Sequence, residues 1–183
     1  MNVLVNNLLF VVTFVGYAQG DANLLYSDGV NDREDRSPEN NGVIYRDYVA
    51  GDEMTGGYLA TCGKPNIKCF VAVDTSVSPK TVIGVIMTEI PSDPENEPKV
   101  QELIRKELPP ARRNDVLGYI EKVEVVVEWW RKGIATALIS KKISFIRQTM
   151  PKVVAMYLDV RVANKGAIAL YEKAGFKVLT SEL

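Results

Sequence analysis

The stretch Val123–Ser140, VEVVVEWWRKGIATALIS, decides how this chain is read. β-Branched residues suited to a strand run into two tryptophans, a basic pair, one glycine and then apolar residues at helical spacing. A strand that feeds a helix through a short turn aims free backbone N–H groups outward, and the helix dipole adds partial positive charge there. Gly133 lets another group approach the backbone closely, and Arg131 and Lys132 add charge beside it. By chemistry alone the turn is either a phosphate cradle or an ordinary helix start with a solvated basic pair. It is not a Walker loop, because GxxxxGK[ST] is absent. Trp129 and Trp130, the two tryptophans of the protein, both fall in it.

Working outward, Val116–Val127 is the longest strand candidate, and Gly133–Met150 reads as a helix with Ala135, Ile139, Ile143, Ile146 and Met150 on one face. Val153–Val162 is a further strand. Asn164 and Gly175 bracket a short helix as N-cap and C-terminal stop, and FKVLTSEL begins one last strand. Upstream, GVIYRDYV reads as a strand and GDEMTGGYLATCG as glycine-broken helical turns. KCFVAVDTSVSPKTVIGVIMTEI reads as a hairpin with a Ser/Pro turn. Pro91–Val116 is a long connection with five of the nine prolines. Within it Val100, Leu103, Ile104 and Leu108 repeat at helical spacing. This order implies an α/β (α+β) domain, a mixed sheet with helices on both faces.

Composition bounds the chemistry. The chain has 183 residues and no histidine, which excludes Ser-His-Asp and Cys-His nucleophile systems, HExxH zinc sites and histidine proton shuttles. A net charge of −1 gives no basic excess for nucleic acid. Cys62 and Cys69 cannot by themselves complete a structural zinc site, and no metal is expected. They are read as two buried thiols, or as a disulfide if the chain is exported.

Residues 1–20 carry no charged side chain and are apolar from Leu8 to Val15, with small residues at Ala18 and Gly20. They read as a signal peptide, a weak anchor or an extra strand. A membrane contact, or a place in the secretory pathway rather than the cytoplasm, follows only if they anchor or export the chain. Residues 21–42, with six acids and two arginines, read as a solvated linker. The folded domain is expected over 43–183, with the leader dispensable for folding.

Two quoted segments, VEVVVEWWRKGIATALI and YLDVRVANKGAIALYEKAGF, together resemble the GNAT superfamily of acetyl-CoA-dependent N-acetyltransferases. The family turn has the form Gln/Arg-x-x-Gly-x-Gly/Ala. Gly133 and Ala135 match its last two positions, whereas Trp130 stands where Gln or Arg is usual. The second motif, Asn-x-x-Ala-x-x-Leu-Tyr-x-x-x-Gly-Phe, is matched by Asn164, Ala167, Leu170, Tyr171, Gly175 and Phe176. The second segment is especially like the branch that acetylates protein N-terminal amines. Seven residues follow Phe176, where family members usually continue through another strand, so either the mostly antiparallel GNAT sheet lacks its last strand or the sequence stops short of it.

The resemblance implies direct acetyl transfer from acetyl-CoA to an amine of a peptide or small molecule, with a CoA-binding module of weak activity as the alternative. It places the pantetheine arm along Val125, Val126 and Val127 and near Asn164. The diphosphate falls on the turn Arg131, Lys132, Gly133, Ile134, Ala135 and Thr136. Tyr171 matches the family's general acid, which protonates the departing thiolate. An α-amine (pKa ~8) or lysine (~10.4) must lose a proton to react. Glu121, Glu124 and Asp159 are the candidate bases. Glu121 and Glu124 have opposite parity and would face opposite ways on a regular strand, unless a bulge intervenes. Asp159 alternatively pairs with Arg161, and Tyr171 is alternatively a half-buried packing residue.

Overall fold

The computed structural model describes residues 7–14, 42–95 and 97–180. Seven strands form one sheet: β1 (Asn7–Thr13), β2 (Val43–Asp47), β3 (Ile67–Asp74), β4 (Val82–Glu89), β5 (Val116–Val125), β6 (Val153–Arg161) and β7 (Lys177–Thr180). Helix α1 (Pro98–Glu107) lies between β4 and β5 in the chain, α2 (Ile134–Thr149) between β5 and β6, and α3 (Lys165–Lys173) between β6 and β7. The spatial order is β2-β3-β4-β5-β6-β1-β7. Neighbours are antiparallel except β5 and β6, which α2 joins as a crossover.

Alternation along β1 shows how the two faces are used. Phe10 and Val12 join the cluster that holds Ile134, Leu138, Ile143 and Ile146 of α2 and Tyr171 of α3. Leu9 and Val11 join the cluster formed with Val100 and Ile104 of α1. Successive strand residues point to opposite faces, so α2 and α3 cover one face and α1 the other. Gly84 allows the close seat of α2, since a Cβ there would lie 3.0 Å from Ile134 and 3.1 Å from Leu138.

The strands and helices read from periodicity are present, with boundaries moved by a residue or two. Three expectations are corrected, and of the two readings of the cysteines the disulfide is the one present. The GDEMTGGYLATCG segment forms turns and no helix, and Arg46 pins it with a two-pronged bond to the Asp52 carboxylate at 2.7 Å. Leu103 of α1 is 40% exposed. Gln101 is buried in its place, donating to the Asp93 carbonyl at 2.7 Å. The last strand is not lost, because four residues after Phe176 suffice for β7 against β1. Cys62 and Cys69 are joined as a disulfide that ties the loop ahead of β3 to that strand.

The leader also contributes to the sheet. β1 lies between β6 and β7, with Leu9 and Phe10 fully buried. The linker expected over 21–42 lies almost wholly outside the described residues. No helix among the described residues is long and apolar enough to cross a membrane.

Candidate active site

The parallel pairing of β5 and β6 runs from Val116 and Val153 to Tyr119 and Tyr157, and stops there. β5 continues to Val125 on β4 alone, while β6 continues to Arg161 on β1. The two strands therefore separate, and their facing edges beyond Tyr119 have no strand partner among the described residues. A bulge interrupts β5 at the same level: Met87 pairs with Lys122 and Thr88 with Ile120, leaving Glu121 as the extra residue. The bulge resets the alternation. Glu121 lines a cavity on the α1 face with Glu89 and Tyr119. Glu124 shares that face through its register with Val85 and bonds Lys122 at 3.3 Å.

The cavity has a volume of 670 Å³, and Tyr119, Tyr157, Glu89, Glu95, Glu97 and Glu121 line it with Lys64 and its neighbours. Where the strands part, Tyr119 Oη donates to Asp159 Oδ1 at 2.8 Å, and Asn7 Nδ2 donates to Asp159 Oδ2 at 2.9 Å. Asp159 is thus engaged by Tyr119 and Asn7, while Arg161 points into solvent. The Tyr119 and Tyr157 rings lie 5.1 Å apart, and Gln101 reaches Tyr157 Oη at 3.4 Å. Burial, then the bond to Asp159, pushes the Tyr119 phenol well above its ordinary pKa.

Tyr171 is buried on the other face, its ring 6.2 Å from Phe10 and 5.6 Å, edge-on, from Phe176. Burial, with the nearby Asp159 charge adding, pushes its phenol up to about 12. A phenol whose folded pKa exceeds its unfolded value of 10.0 stabilises the fold fully below pH 10, and loses that contribution as pH rises through the folded value. Stability should therefore fall between pH 10 and about 12. A Tyr171→Phe variant followed by circular dichroism should show a shallower decline over that window, and an unchanged slope would contradict the assignment.

A second cavity of 470 Å³ continues along β5, lined by Val123 to Glu128, Trp130 and the loop Met54 to Gly57. Trp130 folds back over it: its indole donates to the Val125 carbonyl at 2.7 Å while the ring stays 60% exposed. Trp129 packs against the main core, with the Lys132 ammonium 4.5 Å from its ring centroid. The groove leads to the turn, where Arg131 (φ 60°) and Gly133 (φ 80°) are both left-handed. Among the described residues no side chain caps α2, so the amides of its first turn, Ile134, Ala135 and Thr136, have neither an intrahelical nor a capping acceptor there. A Cβ at Gly133 would meet nothing within 4 Å, so the space above the turn is open. Open space, unsatisfied amides and two adjacent cations suit a diphosphate. Asn164 Oδ1 caps α3 by accepting from the Ala167 amide at 3.1 Å.

The structure thus brings Tyr119 and Asp159 together, with Glu121 on the cavity wall and the turn at the far end of the groove. Sequence reading missed Tyr119, Tyr157, Asn7, Glu89, Glu95 and Glu97. Tyr119 alone carried a usable signal, its position three residues into the strand that ends at the turn.

A family model described as Acetyltransferase (GNAT) family matches residues 35–176. An N-alpha-acetyltransferase of Saccharolobus solfataricus is 33% identical over 107 residues, 58% of this chain and 57% of that protein. An N-alpha-acetyltransferase of Sulfurisphaera tokodaii is 31% identical over 96 residues, 52% of this chain and 50% of that protein. The chain spans about half the length of these curated relatives. Among solved structures, Arabidopsis thaliana NAA60 in complex with acetyl-CoA is similar in fold, with a TM-score of 0.58 at 23% identity over 74% of this chain and 86% of that one.

Proposed function

The chain belongs to the GNAT acetyltransferase family, and from that premise we propose that it moves an acetyl group from acetyl-CoA to the α-amine of a peptide. One observation carries the reading: two cavities lie end to end along β5, one reaching toward the uncapped α2 turn and the other opening on the Tyr119–Asp159 pair. The named activity of the two archaeal relatives supports a peptide α-amine as acceptor.

Acetyl-CoA supplies the activated thioester; the remaining work falls to the chain's own residues. The amides from Arg131 to Thr136 hold the diphosphate, and the end of β5 with the two residues after it, Val125 to Val127, guides the pantetheine arm. Asp159, positioned by Tyr119 and Asn7, draws the proton from the incoming ammonium, with Glu121 and Glu124 as the other carboxylates on that face. The amine nitrogen bonds to the acetyl carbon, the carbon–sulfur bond breaks, and the proton that the nitrogen then sheds passes to the departing thiolate, with Tyr171 as the match to the family group that assists the leaving sulfur. Release of free thiol from acetyl-CoA, dependent on a peptide with a free N-terminus and absent with an N-acetylated one, tests the reading.

Gly133→Glu puts a carboxylate into the open space above the turn and forces an L residue to hold φ 80°. Acetyl-CoA affinity should fall by at least about tenfold while the domain stays folded, since like charge replaces a site for anions. Calorimetric titration giving the same Kd as the parent would move the diphosphate site elsewhere. Trp130 favours the second reading, a domain that binds acyl-CoA without efficient transfer, because its indole occupies the Val125 carbonyl. Tight acetyl-CoA binding with no thiol release on any amine would select it.

A further inference from the structure

The cavity beside Tyr119 is more acidic than the protein around it. Among the described residues Glu89, Glu95, Glu97 and Glu121 line it against Lys64 alone, four negative charges to one positive, whereas the whole chain has a net charge of −1. None of these four glutamates belongs to an ion pair of the described residues. Glu124, beyond the cavity wall, is by contrast paired with Lys122. Glu97 stands at the start of α1 without capping it: its backbone is left-handed and its side chain makes no cap bond. Its carboxyl is pushed up first by burial and then by Asp159, which places it within electrostatic reach of the reaction centre. The α1 start therefore gains no cap bond from this side chain, and the cavity gains a carboxylate without an ion-pair partner among the described residues.

Like charges around a concave wall reinforce one another's field and attract opposite charge. The reacting amine is itself a cation when it arrives, and one carboxylate, Asp159, suffices to meet it. The other carboxylates exceed that need. Resting on the acetyltransferase reading above, we propose that this cavity selects acceptors carrying a second positive charge close to the amine that is acetylated, namely peptides with Lys or Arg directly after the N-terminal residue. In an extended peptide the second side chain stands roughly one strand step, about 3.3 Å, further along from the first. A cation on it falls among the glutamates while the α-amine reaches Asp159. A glutamate at the same place would be repelled.

The test uses three peptides that differ at the second residue, Lys, Gln or Glu, with spermidine as a fourth acceptor. The Lys peptide should exceed the Gln peptide by about tenfold in kcat/KM, and the Glu peptide should be poorest, as expected for several exposed charge contacts acting together. Raising the salt from 50 to 500 mM (about threefold in screening length) should shrink the preference. In a Glu95→Gln/Glu97→Gln variant the Lys-to-Gln ratio should fall to within about twofold, because two of the four carboxylates that set the field are then neutral. Equal turnover of all three peptides, or a preference that survives in the variant, would overturn the proposal. Spermidine preferred over the Lys peptide would transfer the selection from peptides to free polyamines and overturn the peptide assignment. A readout without turnover separates this from failure of the acetyltransferase reading: the N-acetylated Lys and Gln peptides are titrated by calorimetry. Tighter binding of the Lys form with no transfer to any peptide would keep the selection and reject the reaction. Equal binding would reject the selection.

Discussion

Removing residues 1–14 should abolish cooperative unfolding of the domain. Leu9, Phe10, Val11 and Val12 are each at most 8% exposed, and they reach into the cores on both faces of the sheet. Full burial of such side chains contributes ~1.5–3 kcal/mol each, so the four together are worth ~6–12 kcal/mol. That is the size of a whole domain's stability, ~5–15 kcal/mol. The loss would also strip β6 of its partner along Ala155–Arg161 and detach β7, which pairs with β1 in this sheet. Two apolar strand edges would then face water. A chain starting at Gly42 should show no sigmoidal denaturant transition, and Phe10→Asp in the full chain should lower the midpoint severely. A chain starting at Gly42 that unfolds cooperatively at the parent midpoint would mean that β1 is dispensable and that the apolar leader serves another purpose.

What was legible in the sequence was local. The strand, turn and α2 follow from a change of period at the basic pair. The Asn164 cap and the Gly175 stop follow from side-chain chemistry within one turn of each helix end, and both are present, Gly175 with φ 88°. Contacts between distant segments were not legible. Asn7 and Asp159 are separated by 152 residues, and nothing in either neighbourhood announces the other. An apolar run without charge suits a leader peptide as well as a strand buried on both faces, because both are selected by the same hydrophobicity. The bulge at Glu121 could be named as a possibility but not located, since it depends on the partner strand's register. Glu95 and Glu97 fall in a proline-rich connection with no periodicity to orient them.

Asp159→Asn should lower single-turnover acetyl transfer by ~10²–10⁴, the usual worth of a positioned proton acceptor, with acetyl-CoA affinity nearly unchanged. Asparagine keeps the shape of the side chain, so the fold should hold while the charge is lost. Tyr119→Phe should cost a comparable factor, because the phenol that bonds Asp159 at 2.8 Å orients it. Residues that act as a unit are not additive, so the double variant should be little slower than the slower single one. Independent roles would instead multiply the two losses. Tyr171→Phe should fall at the lower end, ~10². A phenol pushed up to about 12 is a reluctant acid toward a thiolate whose own pKa is ~8.5, so its help is mainly a hydrogen bond to the departing sulfur. Rates within about threefold of the parent for both Asp159→Asn and Tyr119→Phe, well below the ~10² floor for such a role, would remove this pair from the chemistry. The proton would then pass to Glu121, the bulged residue that shares the cavity with Tyr119, and Glu121→Gln would become the slow variant.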